Sequence, residues 1–176
     1  MPAFKQIGKE DMMRRVARFN QIRSSAQAFC DTLIPGHERD IYNVIGHGVM
    51  DDPSMNPVIT DVRDFHVNFI KAKPGRGAAS HTHPSVEVFI PMSGRWAVYW
   101  GDHDEEEVLL DQWDVISVPP GVLRGFRNAG EDEAVLLSIL GGTDPGRVVW
   151  SPRVLEKAKA TGLVEVTERG ELVRVR

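Results

Sequence analysis

The amino-acid sequence predicts an all-β barrel flanked by a helix at each end. Three observations predict it. From about Phe65 onward, short apolar or alternating runs recur at 65–72, 86–92, 96–100, 107–110, 115–118, 124–128 and 134–140. Turn residues separate them: Pro74-Gly75, Ser93-Gly94, Gly101-Asp102, Pro120-Gly121, Asn128-Ala129-Gly130 and Gly141-Gly142. Helix signals are confined to the two ends of the chain. Several short strands at such spacing make a sandwich or a closed barrel.

The N-terminal helix is expected over residues 9 to about 22. Glu10 and Asp11 lie in its first turn, where acidic groups complement the macrodipole, and Met12, Val16 and Phe19 recur at helical spacing as one apolar stripe. Residues 23–60 hold Pro35, Gly36, Gly46, Gly48, Pro53 and Pro57, which break long elements. A loop-rich lead-in with a short strand at 41–44 is expected there. After the strands, 151–161 returns to helix, with Ser151 as N-cap, Pro152 in the first turn and Gly162 closing the end. The expected organisation is one domain: an extension over 1–60 that packs on the barrel or on a partner subunit, the barrel over 61–145, and a helix and tail over 146–176. No internal repeat or linker divides it.

Composition excludes several functions. The 176 residues are 41% hydrophobic and 26% charged, with a formal charge of −4, so no basic field favours nucleic acid or anionic lipid. Cys30 is the one cysteine; an intrachain disulfide and a thiolate zinc cluster are ruled out. No run approaches the roughly 18 apolar residues of a membrane span, and the first ten residues lack the apolar core of a signal peptide. A cytoplasmic location is expected.

The chemistry concentrates between Gly75 and Gly94. His81 and His83 are two apart, so on a strand both imidazoles project from one face. Glu87 follows four residues later and converges on the same point if the chain re-enters the sheet there. Two imidazoles and a carboxylate occupy one face of a metal's coordination sphere and leave the rest open, which suits non-haem Fe(II), with Mn, Zn and Ni also accommodated.

Gly75, His81-Thr82-His83, Glu87 and Gly94, with five, three and six residues between them, are similar to the first motif of the cupin superfamily. Pro119-Pro120-Gly121, Arg124 and Asn128 resemble its second motif. The likeness extends with the strand pattern over roughly 65–140. It implies a jelly-roll barrel of six to eight strands with the site inside. Two positions depart from the pattern. Trp113 stands where the second motif opens with glycine, a change expected to be harmless at a strand start. Arg124 stands where the family places a third histidine, usually the fourth metal ligand. A guanidinium only donates, so it cannot coordinate a cation.

Three readings of Arg124 follow. In the first, His81, His83 and Glu87 hold a metal while Arg124 clamps an anionic substrate or stabilises developing negative charge. In the second, no metal binds and Arg124 pairs with Glu87 inside the barrel. In the third, Arg124 swings to the rim. The first is preferred. Among the remaining histidines, His66 reads as a hydrogen-bonded core residue ahead of a ligand or a group supporting one. His103 sits in an acidic solvated loop, and His37 and His47 lie where the lead-in closes over the barrel mouth. No nucleophile elbow or phosphate-binding loop is present.

The expected function is a metal-dependent, oxygenase-like enzyme with one divalent transition metal, Fe(II) favoured, on His81, His83 and Glu87, and with Arg124 in a catalytic role toward a small anionic organic substrate. The alternatives are a non-catalytic, metal-free small-molecule binder and a cupin isomerase or lyase. The extensions resemble those with which cupins make dimers, so a homodimer is expected; nucleic acid and membrane partners are not.

Overall fold

A computed structural model describes residues 4–52, 54–144 and 146–175; Pro53, one of the expected chain breaks, lies outside them. Two antiparallel sheets form the body. One has the order β1 (Ser24–Ser25), β2 (Asp40–Ile45), β3 (Phe65–Ala72), β10 (Ala134–Gly141), β5 (Glu87–Pro91), β8 (Ile116–Val118). The other runs β11 (Val149–Trp150), β4 (Gly77–Thr82), β9 (Arg124–Asn128), β6 (Trp96–Trp100), β7 (Glu106–Leu110). From β3 to β6 the chain crosses between sheets at every strand, and it crosses again from β8 to β9 to β10. This is the all-β barrel that the strand pattern predicts, with the jelly-roll order that the likeness of the motifs implies. A small hairpin of β12 (Val164–Val166) and β13 (Leu172–Arg174) follows the C-terminal helix.

The inner faces obey the strand period. In β3, His66, Asn68, Ile70 and Ala72 are buried; in β10, Ala134, Leu136, Ser138 and Leu140 are. Ile70, Leu136 and Phe89 of one sheet meet Trp96, Val98 and Phe126 of the other in the main apolar core. Phe126 packs against Phe89 with ring centroids 5.0 Å apart and against Trp96 at 6.1 Å. A second cluster joins Cys30, Ile34, Ala79, Trp150 and Val154 to Val164 and Leu172 of the hairpin.

The sequence reading lists no strand between 72 and 86, yet β4 lies there. Its small residues (Gly77, Ala78, Ala79, Ser80) are buried on both faces, so the run carries no apolar alternation. A Cβ on Gly77 would come within 1.9 Å of the Phe126 carbonyl oxygen, so glycine is what lets β4 close on β9.

The helices divide. α2 (Pro152–Thr161) forms where expected: Ser151 Oγ accepts from the Val154 N–H at 3.4 Å, and Gly162 closes it at φ 68°. The helix expected to run to residue 22 stops early, as α1 (Lys9–Met13), with no buried residue. Among the described residues nothing buries an apolar stripe on α1, and short helices draw most of their stability from packing. Met12 and Val16 are exposed, and Phe19 lies in a separate 3₁₀ turn, tilted against Tyr42 at 4.7 Å and edge-on to Phe69 at 5.3 Å. The strand expected at 41–44 is β2, paired with β3. Among the described residues no helix is long and apolar enough to cross a membrane.

Trp113 is not at a strand start. It lies in the turn before β8 at φ 74°, 64% exposed, a conformation that costs a side-chain-bearing residue about 1–2 kcal/mol. Glycine would adopt it freely. Trp113→Gly should therefore raise the unfolding free energy by about 1 kcal/mol in urea denaturation.

Candidate metal centre

The cluster forms where the two sheets face each other. β4 carries His81 and the residue after it ends the strand, so His83 follows on the same inward face, with Thr82 turned away and only partly buried. Glu87 opens β5 in the opposite sheet, and its backbone pairs with Leu140 and Val118 on either side. His81, His83 and Glu87 are all buried, and one ligand atom from each lies within 4.8 Å of the other two. The three residues singled out in the sequence are brought together.

Each of the three is held by its outer atom. His81 Nδ1–H donates to the Ala79 carbonyl at 2.7 Å, which leaves Nε2 as the free lone pair. His83 Nδ1 bonds with Ser85 Oγ at 2.9 Å, and the Ser138 hydroxyl donates to Glu87 Oε1 at 2.7 Å. His83 Nε2 then lies 3.2 Å from Glu87 Oε2. Outer bonds of this kind fix the tautomer and the direction of metal ligands. The donor set fits a divalent transition metal.

Arg124 is also inside. Its backbone pairs with His81 on one side and Trp100 on the other. Its Nη2 donates to Glu87 Oε2 at 2.5 Å and to His83 Nε2, and Nη1 donates to the His81 carbonyl at 3.2 Å. The side chain is 2% exposed; a rim position is contradicted. The guanidinium thus takes the lone pairs of two of the three candidate ligands, and a metal and this arginine rotamer exclude each other.

The charges follow from burial and this neighbour. Burial pushes the His81 imidazole well below its ordinary value, and the Arg124 charge adds to that, so it stays neutral. Burial opposes ionisation of Glu87, but the Arg124 guanidinium and the adjoining His83 more than offset it, and the carboxyl is held below its ordinary range. Both groups are in the protonation state that a metal ligand needs.

The other histidines stay apart. His66 Nδ1 accepts from the Gly48 N–H at 3.0 Å, which ties down the β2–β3 loop. His47 and His103 are exposed, the latter with its N–H on the Glu105 carboxylate. None of these reaches the cluster. The sequence reading missed Ser85, Ser138 and the buried pair Asp31–Arg39, which is bidentate at 2.9 Å and holds the Ala79 N–H at 3.1 Å. Ser138 was detectable as a hydroxyl at an inward position of the otherwise apolar face of β10. Asp31 and Arg39 sit in the loop-rich lead-in, where no period marks them. Cys30 is buried, its thiol pushed up to about 12 by burial and by Asp51, so it is not a nucleophile.

A two-sheet jelly roll with an interior His-His-Glu cluster is the architecture of a cupin barrel. Residues 68–140 match the Cupin domain family, and the fold is that of a cupin. A curated relative, germin-like protein subfamily 1 member 4 of Arabidopsis thaliana, is 29% identical over 125 residues, covering 61% of this chain and 54% of that protein. The chain spans about half the length of the curated relatives it matches. Polyketide cyclase RemF from Streptomyces resistomycificus superposes with a TM-score of 0.58 at 12% identity, over 76% of this chain and 82% of that one. A recombinant oxalate oxidase in complex with glycolate gives 0.51 at 20%, over 69% and 58%. At these identities the structural likeness is one of fold.

The pH dependence of stability has a fixed sign. The folded chain resists protonating His81, whose ordinary value is 6.5, so below that pH the unfolded chain binds the extra proton and stability falls. Glu87, held low, adds a loss of the same sign as pH drops below its ordinary 4.5. In chelator, the urea-unfolding free energy should fall between pH 7 and 5, and His81→Gln should lessen that fall by about 1 kcal/mol.

Proposed function

We propose that this chain is a metal-dependent cupin enzyme, oxygenase-like, acting on a small anionic organic substrate inside the barrel. The observation that carries the reading is the outward tethering of all three candidate ligands by Ala79, Ser85 and Ser138, which leaves His81 Nε2, His83 Nε2 and Glu87 Oε2 to converge. A divalent transition metal, Fe(II) by ligand preference with Mn, Zn or Ni also accommodated, would be held there and supply Lewis acidity and, as iron, redox capacity.

The chain's own residues do the rest. Arg124 brings a permanent positive charge into a buried site, where a charge-assisted contact to a carboxylate or enolate is stronger than in water. When ligand or metal takes over Glu87 and His83, its donors are freed for the substrate. Ile70, Phe126 and Leu140 wall the cavity beside the cluster and keep water from it. The names of the relatives, a germin-like protein, an oxalate oxidase and a polyketide cyclase, accord with chemistry on small oxygenated molecules. A homodimer and a reducing, cytoplasmic setting complete the reading, the latter because the one cysteine, Cys30, has no second cysteine to pair with.

A second reading is favoured by one observation. The Arg124 guanidinium already supplies a cation to Glu87 and His83, as a metal-free ligand-binding barrel would require.

Elemental analysis separates the two. Protein purified without tag or chelator should carry close to one transition metal per chain. His83→Ala should lose it while keeping the far-ultraviolet circular dichroism of the fold. Wild-type protein that takes up no metal after reconstitution selects the binder. Arg124→His should bind Co(II) about tenfold more tightly, a shift of about 1.4 kcal/mol, and bind anionic ligands more weakly, both by titration calorimetry. Unchanged affinities would remove the role given to Arg124.

A further inference from the structure

The space beside His81, His83 and Glu87 is about 40 Å³, far below the roughly 300 Å³ at which small-molecule sites begin. An organic anion with several heavy atoms cannot lie wholly within it. Two larger cavities flank the barrel interior. One, about 210 Å³, is lined by Val98, Trp100, Val118, Val122 and Arg124. It shares no wall residue with the inner space, and the buried Arg124 side chain stands between them. The other, about 730 Å³, lies between the β2–β3 loop, the segment leading into β11 and the C-terminal hairpin, with Cys30, Asp51, Arg147 and Leu172 among its walls. It shares Val49, Val148 and Trp150 with the inner space.

We infer that this outer chamber is the binding site for the body of the substrate, an organic anion whose reacting end reaches the cluster through a partition made by Val49, Val148 and Trp150. The chemistry at the far end rests on the function proposed above; the route does not. The chamber's volume falls in the range of small-molecule sites, roughly 300–1,000 Å³. The partition has a buried and a half-buried part. Trp150 is buried, paired in register with His81 and packed at a tilt of 51° against its imidazole, with ring centroids 5.5 Å apart. Val49 and Val148 are only half-buried. Val49 follows Gly46 and Gly48, both in the left-handed region at φ 72° and 64°, which makes their loop a separate turn unit laid across the barrel end. The C-terminal hairpin, outside the jelly roll itself, then has a role as the far wall of the chamber.

Access of a small reagent to the two histidines tests this. The full-length, chelator-treated chain is reacted with diethyl pyrocarbonate, and the modification of His81, His83 and the exposed His103 is followed by peptide mass spectrometry. Val148→Trp, which fills the partition, should slow His81 and His83 about tenfold and leave His103 unchanged. Val148→Ala should speed both several-fold, which keeps the test decisive if the tryptophan variant misfolds. Val122→Trp, on the opposite cavity, should change neither. Slowing by Val122→Trp in place of Val148→Trp overturns the route. So do equal rates in all variants, or two histidines that fail to react in wild type and in Val148→Ala. The reaction requires no metal, so a chain with this reactivity pattern and no metal uptake would refute the proposed function alone.

Discussion

The buried contact of Arg124 with Glu87 and His83 is the constraint on which the rest of the interior depends. Arg124 belongs to one sheet and Glu87 to the other, so the pair closes the jelly roll across its open middle. Two charges taken from water are costly unless every remaining polar atom finds a partner, and stripping one partner from such a pair costs about 3–5 kcal/mol in characterised proteins. Ser138 on Glu87 Oε1 and the His81 carbonyl on Arg124 Nη1 provide such partners, Ser85 and the Ala79 carbonyl hold the adjoining histidines, and the buried Arg124 Nε is left without a partner among the described residues. The same bonds aim the imidazoles and the carboxylate at one point. Stability of the closed barrel and pre-organisation of the centre are therefore a single arrangement, and any cation that joins it competes with one already covalently supplied.

The surroundings reinforce that arrangement. β4 carries His81 but has only small side chains with which to hold its place. Its position comes from Gly77, which permits contact with β9, and from the Asp31 carboxylate on the Ala79 N–H. Asp31 is itself held by Arg39, so the lead-in positions the strand that presents the first histidine. On the other flank Trp150 packs on the His81 ring, and α2 and the hairpin build the second apolar cluster behind it. Segments outside the family match at 68–140 thus shape one side of the centre.

Much of this was legible in the sequence because it is local. Short apolar or alternating runs set off by turn residues marked β3, β6, β9 and β10, cap chemistry marked both ends of α2, and the spacing of His81, His83 and Glu87 marked the centre. Where a local rule lacked its partner it misled: Met12 and Val16 lie exposed among the described residues while Phe19 packs on Tyr42 and Phe69 from a separate turn, so the expected stripe does not form and α1 stops at Met13. Where tertiary burial replaced periodicity, as in β4, the sequence was silent. Trp113 looked innocuous because the sign of φ is not written in residue type.

By itself, then, the sequence determined the fold class and the identity of the three convergent side chains, since strand geometry puts residues two apart on one face and ligand chemistry restricts what such a set could hold. Only the tertiary structure decided where Arg124 points, which hydroxyls brace the candidate ligands and which cavity adjoins them. Those depend on contacts between strands and segments far apart in the chain, down to the 51 residues that separate Ser138 from Glu87. No pattern along the chain encodes the angle at which two sheets bring such side chains together.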